Sequence, residues 1–370
     1  MAADFGVPQW AFGLSTYGFD AHGRIVCSYV QDGVSRLAVL DADSQTDVNA
    51  VANTGTREDA VTGTSVGGGA PAGTTPPNSR FRVLALPFCA ISELQVGADF
   101  AVFIGGSATA PEAIVRLDLD RGTHRVLRSA SPITLEPGFV ASAEAIGFPT
   151  EAGRTAHAFF YRPVNRNFSG PPNQRAPLIV ISHGGPTGAT TPAFKWSIQY
   201  WTSRGFAVVD VNYGGSSGHG RAYRERLNGR WGVVDVDDCV NAARFLIERD
   251  DVDPARLAIR GSSAGGYTTL CALTFRRFFG CGVSLYGVGD LEALALDTHK
   301  FESRYLDRLV GPYPAQRALY IERSPVHHTE SLSSPMILLQ GAEDRVVPPE
   351  QARAMFEAVR AKGLPVAYLL

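Results

Sequence analysis

The sequence contains little that would suit a membrane or a nucleic acid. No run of about 18 apolar residues occurs, so no transmembrane helix is predicted. The formal net charge of -2 gives no reason to expect a polyanionic partner. The segment after Met1 lacks the basic and then apolar stretch of a secretory leader. We therefore predict a cytoplasmic protein that binds neither nucleic acid nor membranes.

Cysteine is also scarce. The five cysteines are odd in number, scattered and without C-x-x-C spacing. This pattern argues against a disulfide framework or a zinc site and fits a reducing compartment. We predict no metal and no cofactor.

Residues from about 10 to 140 read as short strands separated by turns. Residues 37–41 resemble residues 114–118, and each follows a strand and a turn. Repeated small antiparallel sheets indicate propeller blades, but only about two fit here, whereas closed propellers need roughly four to eight. Residues 62–71 are rich in glycine and predict a flexible loop.

From about residue 141 the pattern changes to nearly continuous apolar strands alternating with helices. The strands are expected at 178–181, 206–211, 257–259, 283–286 and 336–339. Amphipathic helices are expected at roughly 235–249 and 349–362. Such alternation predicts a mostly parallel sheet covered on both faces. We divide the chain into a partial all-β, propeller-like domain at 1–140 and an α/β domain at 141–370.

Residues 261–265 read Gly-Ser-Ser-Ala-Gly, which fits the pattern G-x-S-x-G. In this pattern a serine sits on a sharp turn between a strand and a helix, where its hydroxyl can act as a nucleophile. The turn needs small residues two positions before and two positions after that serine. Both are glycine for Ser263, whereas Ser262 would have Arg260 there, and an arginine side chain would clash. Ser263 is therefore the predicted nucleophile.

A serine nucleophile needs a histidine base, which is itself oriented by a carboxylate. Residues 341–348 read Gly-Ala-Glu-Asp-Arg-Val-Val-Pro and follow a core strand. In α/β-hydrolases the chain order is serine, acid, histidine, and the acid lies on such a loop. Glu343 and Asp344 both satisfy this position, and the residues alone leave the choice open. A solvated acidic turn is the alternative interpretation.

Histidine is absent where the base is expected. The last of the eight histidines is His328, and the sequence ends at Leu370 within a strand that the base should follow. We expect the catalytic histidine beyond Leu370. His157 falls within a strand and is interpreted as structural.

Two further segments are expected near the nucleophile. Residues 182–186 read Ser-His-Gly-Gly-Pro and follow a core strand, so His183, Gly184 and Gly185 should form a loop at the active-site mouth. We interpret His183 as shaping that loop. For the oxyanion, the backbone N–H of Ala264 is one candidate donor and the Tyr213 hydroxyl is a second, although Tyr213 fits a packing role equally well.

These segments together resemble the prolyl oligopeptidase family of serine peptidases, especially its acylaminoacyl-peptidase and dipeptidyl-peptidase-like branch. The matching elements are His-Gly-Gly-Pro at 183–186, Asn-Tyr-Gly-Gly-Ser-Ser-Gly at 212–218, Gly-Arg-Trp-Gly at 229–232, Asp235, Asp238, and residues 261–267 and 341–349. The resemblance implies an N-terminal β-propeller before a C-terminal α/β-hydrolase domain. It also implies Asp344 rather than Glu343 as the acid, and the Tyr213 hydroxyl with the Ala264 N–H as oxyanion donors.

The resemblance predicts a serine-type peptidase acting on short peptides through an acyl-enzyme on Ser263. Relatives have more blades before residue 10 and a histidine loop after the last strand, so we expect a chain truncated at both ends with little activity as written. A carboxylesterase of the same fold and a non-catalytic binding protein remain the alternatives. Assembly into a homo-oligomer is left open.

Overall fold

The computed structural model describes residues 3–8, 13–41, 81–298, 300 and 302–370. The first sheet is antiparallel with its strands in chain order: β1 (Tyr17–Phe19), β2 (Ile25–Gln31), β3 (Val34–Leu40) and β4 (Phe81–Leu84). Asp32 and Gly33 join β2 to β3, both with positive φ, and Asp-Gly is a pair that favours such a tight hairpin turn. The glycine-rich residues 62–71 lie outside the described residues.

The second sheet repeats this plan. It consists of β5 (Ala90–Val96), β6 (Phe100–Gly106), β7 (Ala113–Asp118) and β8 (His124–Ser129). The related segments 37–41 and 114–118 end the third strand of each sheet, which explains their similarity. Apolar side chains from both sheets, among them Leu37 and Leu117, share one core. The two sheets are therefore blades of one partial propeller, as the sequence predicts.

The remaining strands form one sheet of eight among the described residues. They are β9 (Glu144–Thr150), β10 (Arg154–Tyr161), β11 (Ala176–Ser182), β12 (Ala207–Asn212), β13 (Val252–Ser262), β14 (Cys281–Leu285), β15 (Met336–Leu339) and β16 (Val366–Leu369). Their order is β16-β15-β14-β13-β11-β12-β10-β9. The strands from β11 to β16 run parallel, and β9 and β10 continue the sheet antiparallel. The predicted α/β-hydrolase fold is confirmed.

Helices follow the strands as the alternation predicts. Those of the described residues are α1 (Trp196–Thr202), α2 (Arg221–Arg224), α3 (Val234–Glu248), α4 (Ala264–Phe275), α5 (Leu291–Asp297), α6 (Tyr305–Leu309), α7 (Arg317–Glu322) and α8 (Pro349–Ala361). The predicted helices at 235–249 and 349–362 are confirmed as α3 and α8, each shifted by at most one residue. Across the described ranges, no helix has the length and apolarity needed to cross a bilayer.

The parallel strands bring three loops to one edge of the sheet. β11, β13 and β15 all end at this edge, because parallel neighbours share a direction. The loops after them begin at His183, Ser263 and Gln340. In open α/β sheets, ligands bind at the carboxyl ends of the strands.

The shared blade core gives a stability prediction. Leu117 is fully buried in β7, whereas Leu127 in β8 is 46% exposed. Leu117→Ala should lower the free energy of unfolding by about 2–5 kcal/mol, because it leaves a cavity. Leu127→Ala is the control and should change it by less than about 0.5 kcal/mol. Urea unfolding followed by circular dichroism measures both, and equal losses would contradict the core assignment.

Candidate active site

Ser263 lies in the turn between β13 and α4 with φ of 53° and ψ of -119°. A non-glycine residue with positive φ is uncommon, and strained conformations of this kind cluster at functional sites. The Ser263 N–H donates to the Leu285 carbonyl oxygen at 2.9 Å, which ties the turn to the end of β14. The turn is therefore held in a fixed position at the edge of the sheet.

Two glycines make this turn possible. A Cβ added at Gly265 would lie 2.1 Å from the Ser182 carbonyl oxygen, and one at Gly261 would lie 2.2 Å from the Gly265 carbonyl oxygen. No side chain fits at either distance. The positions two residues before and two residues after Ser263 therefore admit only glycine, as the predicted turn requires. Ser262 has Arg260 and Ala264 at these positions, so it does not fit the centre of the turn.

Ala264 begins α4, directly after Ser263. The first N–H groups of a helix have no partner within the helix, so they can bind an anion. Ala264 and Ser263 both line one cleft at this edge. The Ala264 N–H, which the sequence predicts as an oxyanion donor, is one of these first N–H groups of α4 and lies next to Ser263.

Asp344 is half-buried in the loop after β15, while Glu343 is exposed. One Asp344 carboxylate oxygen accepts the N–H groups of Val346 and Val347 at 2.9 and 3.0 Å. The other lies 3.4 Å from the Gln340 side-chain amide nitrogen. Val346 and Val347 line the same cleft as Ser263, so the loop of Asp344 and the nucleophile turn border a common space.

The loop after β11 lies against the nucleophile turn. A Cβ at Gly184 would be 3.1 Å from the Ser262 carbonyl oxygen and 3.6 Å from the Ser263 Cβ. Gly185, with φ of +125°, lines the cleft beside Ser263. Among the described residues its N–H has no hydrogen-bond partner. Gly185 was expected only as part of the loop, although two glycines after a core strand are a signal for close backbone approach to a substrate.

His183 is held as a neutral ring beneath this loop. Its Nδ1–H donates to the Gly184 carbonyl oxygen at 2.8 Å, so Nε2 accepts from the Ser216 hydroxyl at 2.7 Å. The ring stacks on Tyr213 with centroids 4.3 Å apart. Burial lowers the pKa of His183 to about 4. With both nitrogens occupied, His183 shapes the loop and has no free nitrogen to serve Ser263.

The Tyr213 hydroxyl contacts the loop after β11, and Tyr213 is not among the residues that line the cleft beside Ser263. Its hydroxyl donates to the Pro186 carbonyl oxygen at 2.9 Å and lies 3.2 Å from that of His183. The side chain is fully buried, and burial raises its pKa. This corrects the expectation that the hydroxyl faces a substrate, since it supports the loop of His183 from below.

The other histidines of the described residues are engaged elsewhere or lie on the blades. His157 stacks on His219, and His328 donates to the Ile321 carbonyl oxygen at 3.2 Å. His327 lies 3.8 Å from the Asp290 carboxylate. No described histidine forms a hydrogen bond with the Ser263 hydroxyl, and His299 lies outside the described residues.

The cleft beside Ser263 is mostly apolar. Its walls include Trp231, Val288, Leu294, Leu306, Val346 and Val347. Trp231, Val288, Leu306 and Val347 are buried side chains of the hydrolase core. Such a space suits an apolar side chain next to the reacting bond.

Comparison with protein-family models matches residues 192–370 to the prolyl oligopeptidase family. Dipeptidyl aminopeptidase BIII of Pseudoxanthomonas mexicana is 29% identical over 71% of this chain and 39% of its own length. Dipeptidyl peptidase family member 6 of Caenorhabditis elegans is 31% identical over 52% of this chain and 27% of its own. The chain thus spans about two fifths or less of these curated relatives.

Among solved structures, a puromycin-hydrolyzing peptidase of Mycobacterium tuberculosis is 36% identical with a TM-score of 0.88. The match covers 100% of this chain and 51% of that one. The acylaminoacyl peptidase of Pyrococcus horikoshii is 21% identical with a TM-score of 0.74, covering 96% and 50% of the two chains. At that identity the second match shows the fold alone.

The close backbone contact at the nucleophile turn gives a second prediction. Gly265→Ala should lower the free energy of unfolding by about 1–3 kcal/mol, because the added Cβ would clash with the Ser182 carbonyl oxygen. Gly170→Ala is the matched control, since no atom lies within 4 Å of its added Cβ. Thermal and urea unfolding measure both variants. Equal stability of the two would show that β11 does not approach the turn as described.

Proposed function

Because residues 192–370 match the prolyl oligopeptidase family, we propose that the chain is a serine peptidase that hydrolyses short peptides through an acyl-enzyme on Ser263. The observation that carries this proposal is the strained turn at Ser263, which opens α4 at the carboxyl edge of the parallel sheet. The names of similar proteins support a peptidase over a carboxylesterase. They include dipeptidyl aminopeptidase, acylamino-acid-releasing enzyme and puromycin hydrolase.

The Ser263 oxygen attacks the carbonyl carbon of the scissile amide, and its proton passes to a base. The carbonyl oxygen then carries negative charge, which backbone N–H groups can stabilise without reorganisation. We assign this role to the N–H groups of Ala264 and Gly185. Both residues border the cleft at Ser263, and the Gly185 N–H has no partner among the described residues. Collapse of the intermediate expels the amine, which takes the proton back from the base, and leaves the acyl group on Ser263. A water molecule, deprotonated by the same base, then cleaves this ester, releasing the carboxylic acid and restoring the Ser263 hydroxyl.

Asp344 is proposed to orient the base. Its carboxylate is fixed by two backbone N–H groups and still has lone pairs for a further donor. Glu343 is exposed, which supports Asp344 as the acid. We propose that the base is a histidine from outside residues 1–370, and this is supported by the other engagements of the described histidines. Asp344 would hold the imidazole in one tautomer and stabilise its charged form.

The neighbouring serines provide a matched test of the nucleophile. A fluorophosphonate probe should label the longest natural form of the protein at Ser263. Ser263→Ala should abolish this labelling, because the variant lacks the proposed nucleophile, whereas Ser262→Ala should retain it. Mass spectrometry of labelled peptides locates the probe, and labelling that persists in Ser263→Ala would contradict the assignment.

The substrates that the longest natural form of the protein cleaves should distinguish a peptidase from an esterase. A peptidase must cleave aminoacyl-nitroanilides, whereas an esterase cleaves only nitrophenyl esters. Amide cleavage lost in Ser263→Ala supports the proposal. Ester cleavage without amide cleavage favours the carboxylesterase, and cleavage of neither substrate favours a binding protein.

The apolar cleft predicts the preferred side chain beside the scissile bond. Val346 lines the cleft and is 49% exposed, so Val346→Phe should narrow the space without disturbing the core. In this variant, we expect kcat/KM for peptides with leucine or phenylalanine beside the scissile bond to fall about tenfold or more relative to kcat/KM for peptides with alanine there. Val126→Phe is the control, since Val126 is 52% exposed on β8. An unchanged ratio in Val346→Phe would place the specificity pocket elsewhere.

A further inference from the structure

The first blade is tied to one loop of the hydrolase sheet. We call residues 213–220, which follow β12, the junction loop. One Asp4 carboxylate oxygen accepts the N–H groups of Gly218 and Gly220 at 2.6 and 3.2 Å. The other oxygen forms an ion pair with Arg224 at 2.7 Å. The backbone of Asp4 pairs with that of Val30 in β2, so these bonds connect the blade to the junction loop.

The hairpin between β2 and β3 touches the same loop. The Gly33 N–H lies 3.4 Å from the Gly218 carbonyl oxygen. A Cβ at Gly218 would lie 2.6 Å from a methyl carbon of Val30. The backbone of the junction loop therefore packs directly on the blade, with His219 between the two residues that Asp4 holds.

His219 stacks on His157 of β10. The ring centroids are 4.4 Å apart and the planes differ by only 4°. The Tyr223 ring packs against both, at 5.3 and 4.9 Å. Nε2 of His219 is buried and has no hydrogen-bond partner in the described part of the chain. A second charge in this stack would repel the first at close range.

The other end of the junction loop reaches the candidate active site. Ser216 donates to His183, and the Ser217 N–H donates to the Gly188 carbonyl oxygen at 2.9 Å. These bonds support the loop that carries Gly185. A displacement of the junction loop would therefore move a proposed oxyanion donor.

Both histidines are neutral in the closed junction. Burial is the main cause, and it lowers the pKa of His219 to about 4 and also lowers that of His157. Arg226 lowers both pKa values further, while Asp4 raises that of His219 and Asp32 raises that of His157. The Tyr223 hydroxyl donates to the Asn212 carbonyl oxygen and accepts the backbone N–H of His157, and in the described residues it forms no hydrogen bond with either imidazole ring.

We propose that the stacked pair His157 and His219 is a pH-sensitive latch, in which protonation releases the junction loop from the first blade and loosens the loop that carries Gly185. The closed junction binds fewer protons than the released one. Acid therefore favours release, and closure is regained as pH rises through the ordinary histidine range. Below about pH 6.5 the ratio of released to closed forms should rise up to about tenfold per pH unit for each histidine.

Hydrogen–deuterium exchange tests the latch without depending on peptidase activity. Between about pH 7.5 and about pH 5, amides of residues 213–220 and of the β2–β3 hairpin should exchange at least about tenfold faster, after correction for intrinsic rates. Amides of α4 serve as the internal reference and should change little. Faster exchange in all three regions alike would indicate global unfolding and overturn the proposal.

Variants distinguish the effect of histidine protonation from the effect of ring packing. His219→Phe keeps a ring in the stack but cannot take a proton, so it should remove most of the pH dependence, and His157→Phe should remove part of it. Asp4→Asn should speed amide exchange in the junction loop at every pH, and exchange should still be faster at the lower pH than at the higher pH. We call this difference in exchange between the two pH values the pH step. His22→Gln, on an exposed turn of the first blade, is the control and should behave as the wild type. An undiminished pH step in both phenylalanine variants would overturn the latch.

If His219→Phe fails to fold, His157→Phe and the wild-type profile still decide the question. A wild-type junction loop whose corrected exchange does not change over this pH range contradicts the proposal by itself. Neither result depends on whether Ser263 is a nucleophile.

Discussion

The candidate site depends on how closely the backbone of β11 approaches the turn that follows β13. The Ser182 carbonyl oxygen and the glycines at 261 and 265 fill a space in which no Cβ fits. This contact forces the chain to reverse sharply at Ser263 and to begin α4 at once. The serine hydroxyl and the first helical N–H groups consequently reach the same cleft. The loops of Gly185 and Asp344 then border that cleft, because their strands run parallel to β13.

Much of this arrangement could be predicted from local pattern. The buried strands, α3, α8 and the turn at Ser263 follow from apolar runs, helical periodicity and glycine spacing, all of which act over short stretches of chain. The two blades were recognisable because segments 37–41 and 114–118 repeat the same strand. The strand order of the sheet could not be predicted from any single segment, because it depends on which strands pair across the sheet.

The roles of Tyr213 and Gly185 could not be predicted in the same way. A phenol in a glycine-rich loop suits both an oxyanion donor and a packing residue, and the choice depends on which carbonyl oxygen lies near it. That oxygen belongs to Pro186, far away in sequence, in a loop whose path the residues do not specify. For Gly185, the glycine pair indicates only that the backbone can approach a substrate, and which N–H group borders the cleft depends on the path of the loop. The stacking of His157 on His219 likewise depends on how β10 lies beside the loop after β12.

The bonds of Asp4 join parts of the chain that are 214 and 220 positions apart. Closing so long a loop costs chain entropy, and this cost grows slowly with loop length. The contacts of Asp4 offset this cost only when both ends of the loop are already ordered. The hairpin of β2 and β3 and the crossover units of the hydrolase sheet are far more local. We expect this contact to form last during folding, as a docking step between two parts that are already structured.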